Sequence, residues 1–395
     1  MKQAVGFFIL SILSFYSFAQ TKSEYYNDPT DTIIHSSFLN KNKKITIILP
    51  RTFDRNNPEK IPVIIVFDRQ NKKIFREVFE SINYLVSEND MPESVIIGIS
   101  TENPDRHLET SFLPSEHNAH GEQMINFVFE ELIPWAETNL NVSKNRIFIG
   151  HSRYGYFSSY LLQSKLTELT GVISCSPFFT QKNVDLVDSL REKLKTGALN
   201  HTVYYRYITG DSVADGKDYL LMKSFLSKEK VSKNFNSKGM EFYEAEHFST
   251  PGLGVLPSLV EIFSFWRYQN IELFKNDSTA IDRAKYNDFV KHMQEKYGDK
   301  IAIGIAQFNG LGWFLYNGKK YDAAIQTWKF LLEKYPMYTD AYVSIAKAYL
   351  QEKNVNEAKI YLKKAIKEMK KTTFYNALEK QENMTEIQNL LKTPE

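Results

Sequence analysis

Six short runs of mostly aliphatic and β-branched residues, set apart by segments with helical spacing, constrain this chain more than any other feature. They are Ile45–Leu49, Ile61–Phe67, Ser94–Ile99, Arg146–Ile149, Leu169–Cys175 and Thr202–Ile208. Continuous apolar runs of this length read as strands buried on both faces, which a sheet achieves when helices cover its two sides. Between them, Ile74–Leu85, Met124–Leu140 and Phe157–Gln163 carry apolar residues at helical intervals. Strand and helix in alternation predict an α/β fold with a mainly parallel sheet. Met240–Tyr243 is a candidate last strand, and Leu259–Tyr268 closes the unit.

A parallel sheet places its working residues on loops beyond the carboxyl ends of its strands. Four such junctions hold unusual residues: Asp68-Arg69-Gln70, Gly150 to Gly155, Gly210 to Asp215, and Glu246-His247-Phe248-Ser249. Gly150-His151-Ser152-Arg153-Tyr154-Gly155 lies directly between a strand and a helix, the setting in which a sharp turn exposes a serine hydroxyl above the sheet. The N–H groups that open the following helix then face any negative charge developing there, and Arg153 supplies one such backbone donor. A second donor is expected from Arg69 or Gln70.

A serine hydroxyl is a weak nucleophile until a base takes its proton. Among the eight histidines, His247 fits best, on a loop after the last expected strand. His151 adjoins the serine, but its side chain is expected to point away from the hydroxyl. The acid that orients the base belongs on the loop after Thr202–Ile208, where Asp215 and Asp211 are the candidates and Asp218 a distant third. No His-x-x-x-His, paired-cysteine or glycine-rich phosphate motif is present, so neither metal nor cofactor is expected.

With these residues in hand, Lys44 to about Tyr268 resembles the esterase D-like esterases of the α/β-hydrolase superfamily, which include ferric-enterochelin and bacillibactin esterases. The likeness rests on Pro62 to Asp68, Ile97-Gly98-Ile99 with Asp105-Arg106, Gly150-His151-Ser152 with Gly155, Ser174-Cys175-Ser176-Pro177, and Glu246-His247-Phe248-Ser249. It implies Ser152 as nucleophile, His247 as base and an acid between them. Two departures stand out: Tyr154 occupies a place usually held by glycine, and Val213 fills the slot of the family's acid motif.

From about Ile301 the pattern becomes helical and repeats. Leu311, Gly312, Leu315, Tyr321, Ala324, Trp328, Leu331 and Pro336 fall at the positions of a tetratricopeptide unit of about 34 residues. Tyr342, Ile345, Ala346, Tyr349, Val355, Ala358, Leu362 and Ala365 repeat the set, with small residues where paired helices approach. The fold class expected is therefore an α/β-hydrolase followed by a small all-α tetratricopeptide-repeat domain.

The amino terminus differs in kind. Lys2 precedes an apolar stretch from Val5 to Phe18, followed by Ala19 and Gln20, the pattern of a secretory signal peptide cut after Ala19. The expected organisation is a signal peptide at 1–19, a polar leader at 20–43, the hydrolase at 44–268, a charged linker at 269–300 and the helical domain at 301–395. A periplasmic or secreted location follows, with no membrane span after cleavage. Cys175 is the only cysteine, so no internal disulfide forms. The 49 Lys and Arg against 47 Asp and Glu leave a net charge of +2, which excludes the strong positive field of a dedicated nucleic-acid binder.

These features point to a serine ester hydrolase working through an acyl-enzyme. The family's range makes a siderophore-type lactone or an acyl or feruloyl ester of a carbohydrate the expected small-molecule or glycan substrate. The competing expectation is an inactive hydrolase-fold binding protein whose residues 301–395 recruit a protein partner. A dimer contact or a cap on the hydrolase is the plainer role for that segment.

Overall fold

The computed structural model describes residues 25–57, 59–113, 118–181, 184–196, 198–210, 212–228, 231–275, 280–372 and 374–392. The expected signal peptide lies outside the described residues. An eight-stranded sheet forms the centre, built from β1 (Thr30–Ser36), β2 (Lys41–Ile48), β3 (Ile61–Val66), β4 (Val95–Ile99), β5 (Val142–His151), β6 (Gly171–Cys175), β7 (Val203–Thr209) and β8 (Phe235–Glu241). Its spatial order is β1-β2-β4-β3-β5-β6-β7-β8. The β1–β2 and β2–β4 pairs are antiparallel, and from β4 to β8 every pair is parallel.

Residues of β3, β4, β6 and β7 are buried almost without interruption, as continuous apolar runs require. Alternate side chains serve two cores. Ile64, Val66 and Ile96 join α1 (Lys72–Ser87) on one face. Val63, Ile65 and Ile97 join a broken helix over residues 121–139 and α2 (Arg153–Ser164) on the other. Helices α3 (Leu186–Thr196) and α4 (Ser212–Lys228) follow β6 and β7. Helix α5 (Thr250–Ile262) packs on α1 and leads into α6 (Ser264–Lys275).

Two expectations need correction. The polar leader at 20–43 contains all of β1 and the start of β2. β1 is an edge strand whose exposure pattern leaves only Ser36 buried, so its sequence lacks the apolar run of an interior strand. The charged linker at 269–300 is largely helical, comprising the end of α6 and all of α7 (Arg283–Tyr297). Asp282 caps α7 by accepting from the Lys285 N–H, and Tyr286, Phe289, Val290, Met293 and Tyr297 form its buried stripe.

Beyond α7 lie α8 (Ile305–Asn317), α9 (Tyr321–Lys334), α10 (Asp340–Gln351), α11 (Val355–Met369) and α12 (Ala377–Leu391). Consecutive members pack in pairs. Phe308, Leu311, Trp328 and Ile345 belong to the same continuous core as Ile64 and Ile96 of the sheet. The polar contacts of the helical region meet the hydrolase at the amino ends of its parallel strands. Lys300 O accepts from Asn145 Nδ2 at 3.0 Å, Lys296 O from the Thr202 N–H at 3.0 Å, and Glu59 pairs with Lys334 at 2.6 Å. Among the described residues no helix is long and apolar enough to cross a membrane.

Two glycines of α8 make the packing testable. A Cβ at Gly312 would stand 2.3 Å from Trp328 Nε1, whereas one at Gly310 would meet Phe274 at an ordinary 3.5 Å. Gly312→Ala is expected to destabilise by about 1–3 kcal/mol through overpacking. Gly310→Ala is expected to stabilise by roughly 0.5–1 kcal/mol through helix propensity. Thermal unfolding of both variants measures the contrast.

Candidate active site

The site is built on the turn at Ser152. Strand β5 runs straight into α2, and the reversal is absorbed by Ser152, whose φ of 58° and ψ of −115° place it in the left-handed region. Such a backbone costs on the order of 1–3 kcal/mol and persists only where neighbours hold it. Here the Ser152 N–H donates to Cys175 O at 2.8 Å, and Ser152 O accepts from the Tyr156 N–H at 3.0 Å. Gly150 leaves the room the turn needs, since a Cβ there would lie 2.1 Å from Tyr154 O. A Cβ at Gly155 would lie 2.9 Å from Cys175 O, so the absence of a side chain there lets α2 approach β6, as its absence at Gly150 lets α2 approach β5.

Tyr154, two residues after the serine, is fully buried. Its ring stacks on Phe67 at 4.8 Å, and its hydroxyl donates to Thr101 Oγ1 at 2.8 Å. Thr101 belongs to a buried polar cluster in which Lys43 Nζ meets Glu109 at 2.6 Å and Thr101 Oγ1 at 2.8 Å. Burial pulls the Lys43 ammonium below its ordinary pKa, against the opposing pull of Glu109. The tyrosine thus anchors the 101–113 segment to the elbow.

His247 follows β8 on a tight loop that leads into α5. Its backbone carbonyl accepts three hydrogen bonds, from His151 Nε2 at 2.9 Å, Ser176 Oγ at 3.2 Å and Thr250 Oγ1 at 3.1 Å. The imidazoles of His151 and His247 lie edge to face with centroids 4.7 Å apart, and the exposed Phe248 ring packs against both. The structure therefore brings His247 beside the elbow. The His151 ring itself turns toward the His247 loop. Spacing could not show this, because the direction of a side chain at so sharp a turn depends on the local dihedral angles.

Gly210 ends β7 against this loop, where a Cβ would stand 2.6 Å from Ala245 O. Of the two acid candidates, Asp211 and the side chain of Asp215 lie outside the described residues, although the Asp215 backbone belongs to α4. Asp218 is otherwise engaged: its carboxylate accepts from the N–H groups of Phe179 and Thr180 and from Thr180 Oγ1.

Arg153 opens α2, in the position expected of a backbone donor. The loop after β3 divides the remaining two candidates. The Arg69 N–H is committed to Ile99 O at 3.0 Å and its guanidinium lies over Phe75, so Arg69 is corrected as an oxyanion donor. That leaves the Gln70 N–H. The Gln70 side chain bridges Asp68 Oδ1 at 2.8 Å and the Thr101 N–H at 2.9 Å, which fixes the loop.

Asp68 and Arg106 were not assigned a role from sequence. Asp68, buried and itself at positive φ, takes Arg106 Nε at 2.8 Å and Nη2 at 2.6 Å. Arg106 Nη2 also reaches His151 O at 3.4 Å. Burial opposes the guanidinium charge, yet the hydrogen bonds and field of Asp68 outweigh it and raise the arginine pKa. The Asp105-Arg106 pair after β4 was the available signal.

No curated protein matches the sequence. Residues 36–250 match the family described as "Putative esterase", more than half of the chain, and this chain belongs to that esterase family: it is a carboxylic ester hydrolase. An uncharacterised protein from Capnocytophaga ochracea DSM 7271 is similar in structure, with 14% identity and a TM-score of 0.58 over 92% of this chain and 100% of that one. An IroE-like serine hydrolase from Shewanella oneidensis shares 16% identity with a TM-score of 0.61, covering 76% of this chain and 98% of the other. The BES protein from Bacillus cereus shares 17% identity with a TM-score of 0.51, over 60% and 96% of the two chains.

One titration follows from the geometry. Burial pushes the His151 imidazole down to about 4, with the His247 ring adding to the effect and the bond to its carbonyl opposing it. A histidine whose folded pKa is depressed contributes stability above its unfolded pKa near 6.5 and loses it as pH falls toward 4. Between pH 7 and pH 4.5 wild type is expected to lose about 2–3 kcal/mol more than His151→Gln, by linkage at one site. Urea unfolding at the two pH values measures the difference.

Proposed function

We propose that this protein is an exported serine esterase in which Ser152 Oγ attacks an ester carbonyl while His247 takes its proton. The oxyanion of the tetrahedral intermediate is held by the N–H groups of Arg153 and Gln70. Collapse expels the alcohol with the proton from His247 and leaves an acyl-Ser152. Water, deprotonated by the same histidine, then releases the acid and regenerates the hydroxyl. The acid orienting His247 is Asp215 or Asp211, both of which follow Gly210, where β7 closes on the base loop.

The observation that carries this reading is the left-handed Ser152 with its neighbour His151 bonded to the carbonyl of His247. A siderophore-type lactone or an acyl or feruloyl carbohydrate ester is the proposed substrate. The exposed Phe248 beside His247 supports an aromatic acyl group, which gains from stacking on such a ring. Export rests on the amino-terminal sequence. The helical region is proposed as tetratricopeptide-like pairs, supported by α9 and α11 beginning at Tyr321 and Val355, one repeat unit apart. Its polar contacts at the amino ends of the strands favour a cap over a lid on the substrate.

Hydrolysis of short p-nitrophenyl esters tests the proposal. Ser152→Ala and His247→Ala are each expected to reduce kcat by about 10³–10⁶. Of Asp211→Asn and Asp215→Asn, one is expected to lose about 10²–10⁴ and the other little. Wild type no faster than Ser152→Ala, with a catecholate trilactone and a feruloyl sugar also uncleaved, would overturn the reading in favour of a binding protein.

A further inference from the structure

His151 is an unusual residue to bury at the end of a strand, and its surroundings show what holds it there. Its main chain immediately precedes the nucleophile, and its carbonyl faces the Asp68–Arg106 pair. Its imidazole crosses to the His247 carbonyl at 2.9 Å. A carbonyl only accepts, so the ring carries its proton on Nε2. Ser176 and Thr250 reach the same oxygen from the end of β6 and the start of α5, and their hydroxyls lie 2.9 Å from each other. Ser176 is fixed in turn at a positive φ of 43°, its N–H donating to Ile208 O at 2.7 Å.

The separation between nucleophile and base is thereby set by a very short path. It runs from Ser152 through one peptide unit to His151, across one hydrogen bond, and into the residue that bears the base. The two hydroxyls fix the base loop to the neighbouring strand and helix, and His151 fixes it to the nucleophile's own strand. We propose that His151 is a positioning residue of the hydrolysis, its Nε2–H holding the His247 loop in register with Ser152. The inference rests on His247 acting as the base in the function proposed above.

Two variants separate the donor from the ring: His151→Phe keeps an aromatic ring and loses the N–H, whereas His151→Gln keeps an N–H of similar reach. On p-nitrophenyl acetate, H151F is expected to lower kcat by about 10–10²-fold with KM within about twofold, the penalty of a small misplacement of a reacting group. H151Q is expected to recover kcat to within about threefold of wild type. Hydrogen exchange in residues 245–250 should quicken in H151F and return to the wild-type rate in H151Q. Wild-type kcat and wild-type exchange in H151F overturn the proposal.

Exchange does not depend on turnover, so a wild type that cleaves no ester ends the esterase reading while the strut is still decided by these amides. Should H151F fail to fold, imidazole 15N spectra of wild type at pH 7 decide instead. The Nε2–H tautomer of His151 supports the strut, and the Nδ1–H tautomer overturns it.

Discussion

The left-handed backbone of Ser152 is the constraint on which the rest of the site depends. A strand entering a helix without a loop must turn within one residue, and an L-residue at φ 58° does so at a cost that the fold has to offset. Here the offset comes from the neighbouring strand: Cys175 O binds the Ser152 N–H, and the next residue, Ser176, is itself left-handed. Adjacent strands thus end in matched turns. Ser152 presents its side chain at one of them, and Ser176 supports the base loop from the other.

Charge is used around this turn for placement more than for stability. Lys43 and Glu109 are buried together, and the desolvation of such a pair consumes most of its Coulombic gain. What the pair does is orient: Thr101 and Tyr154 bond to it and to each other, so β2, the segment after β4 and the helix after the elbow share one hydrogen-bonded centre. Asp68 and Arg106 form a second such pair, with the Arg106 guanidinium over the Tyr154 ring. The bulky Tyr154 beside the elbow is therefore accommodated by a coordinated set of residues on three segments.

Much of this was legible in the sequence, and the exceptions have physical reasons. Interior strands announce themselves because both their faces must be apolar, so β3, β4, β6 and β7 are visible as runs. β1 is not, because an edge strand with one wet face reads like any polar segment. α7 carried a buried stripe from Tyr286 to Tyr297, masked by the charged residues that fill its other face. At the elbow, the sharp turn at Ser152 was readable because a strand passing directly into a helix with small residues around it leaves few options. That the Arg69 N–H is committed could not be read, since it depends on Ile99 O reaching back across the sheet. The bond from His151 to the His247 carbonyl was equally hidden, being a consequence of dihedral angles and not of spacing.

The helical region completes the argument by where it stands. One face of the sheet needs a cover, and α1 and α5 supply only part of it: Trp266, Tyr286, Phe308 and Trp328 extend that core without a break into the tail. The tail is thus a structural continuation of the hydrolase, and its removal would expose apolar surface on both partners. Lys296, Lys300 and Lys334 make their contacts at the strand ends farthest from Ser152, on the side where residues bear on stability. The tail therefore braces the sheet at the strand ends opposite Ser152, which lets the elbow carry its backbone strain on a scaffold supported from behind.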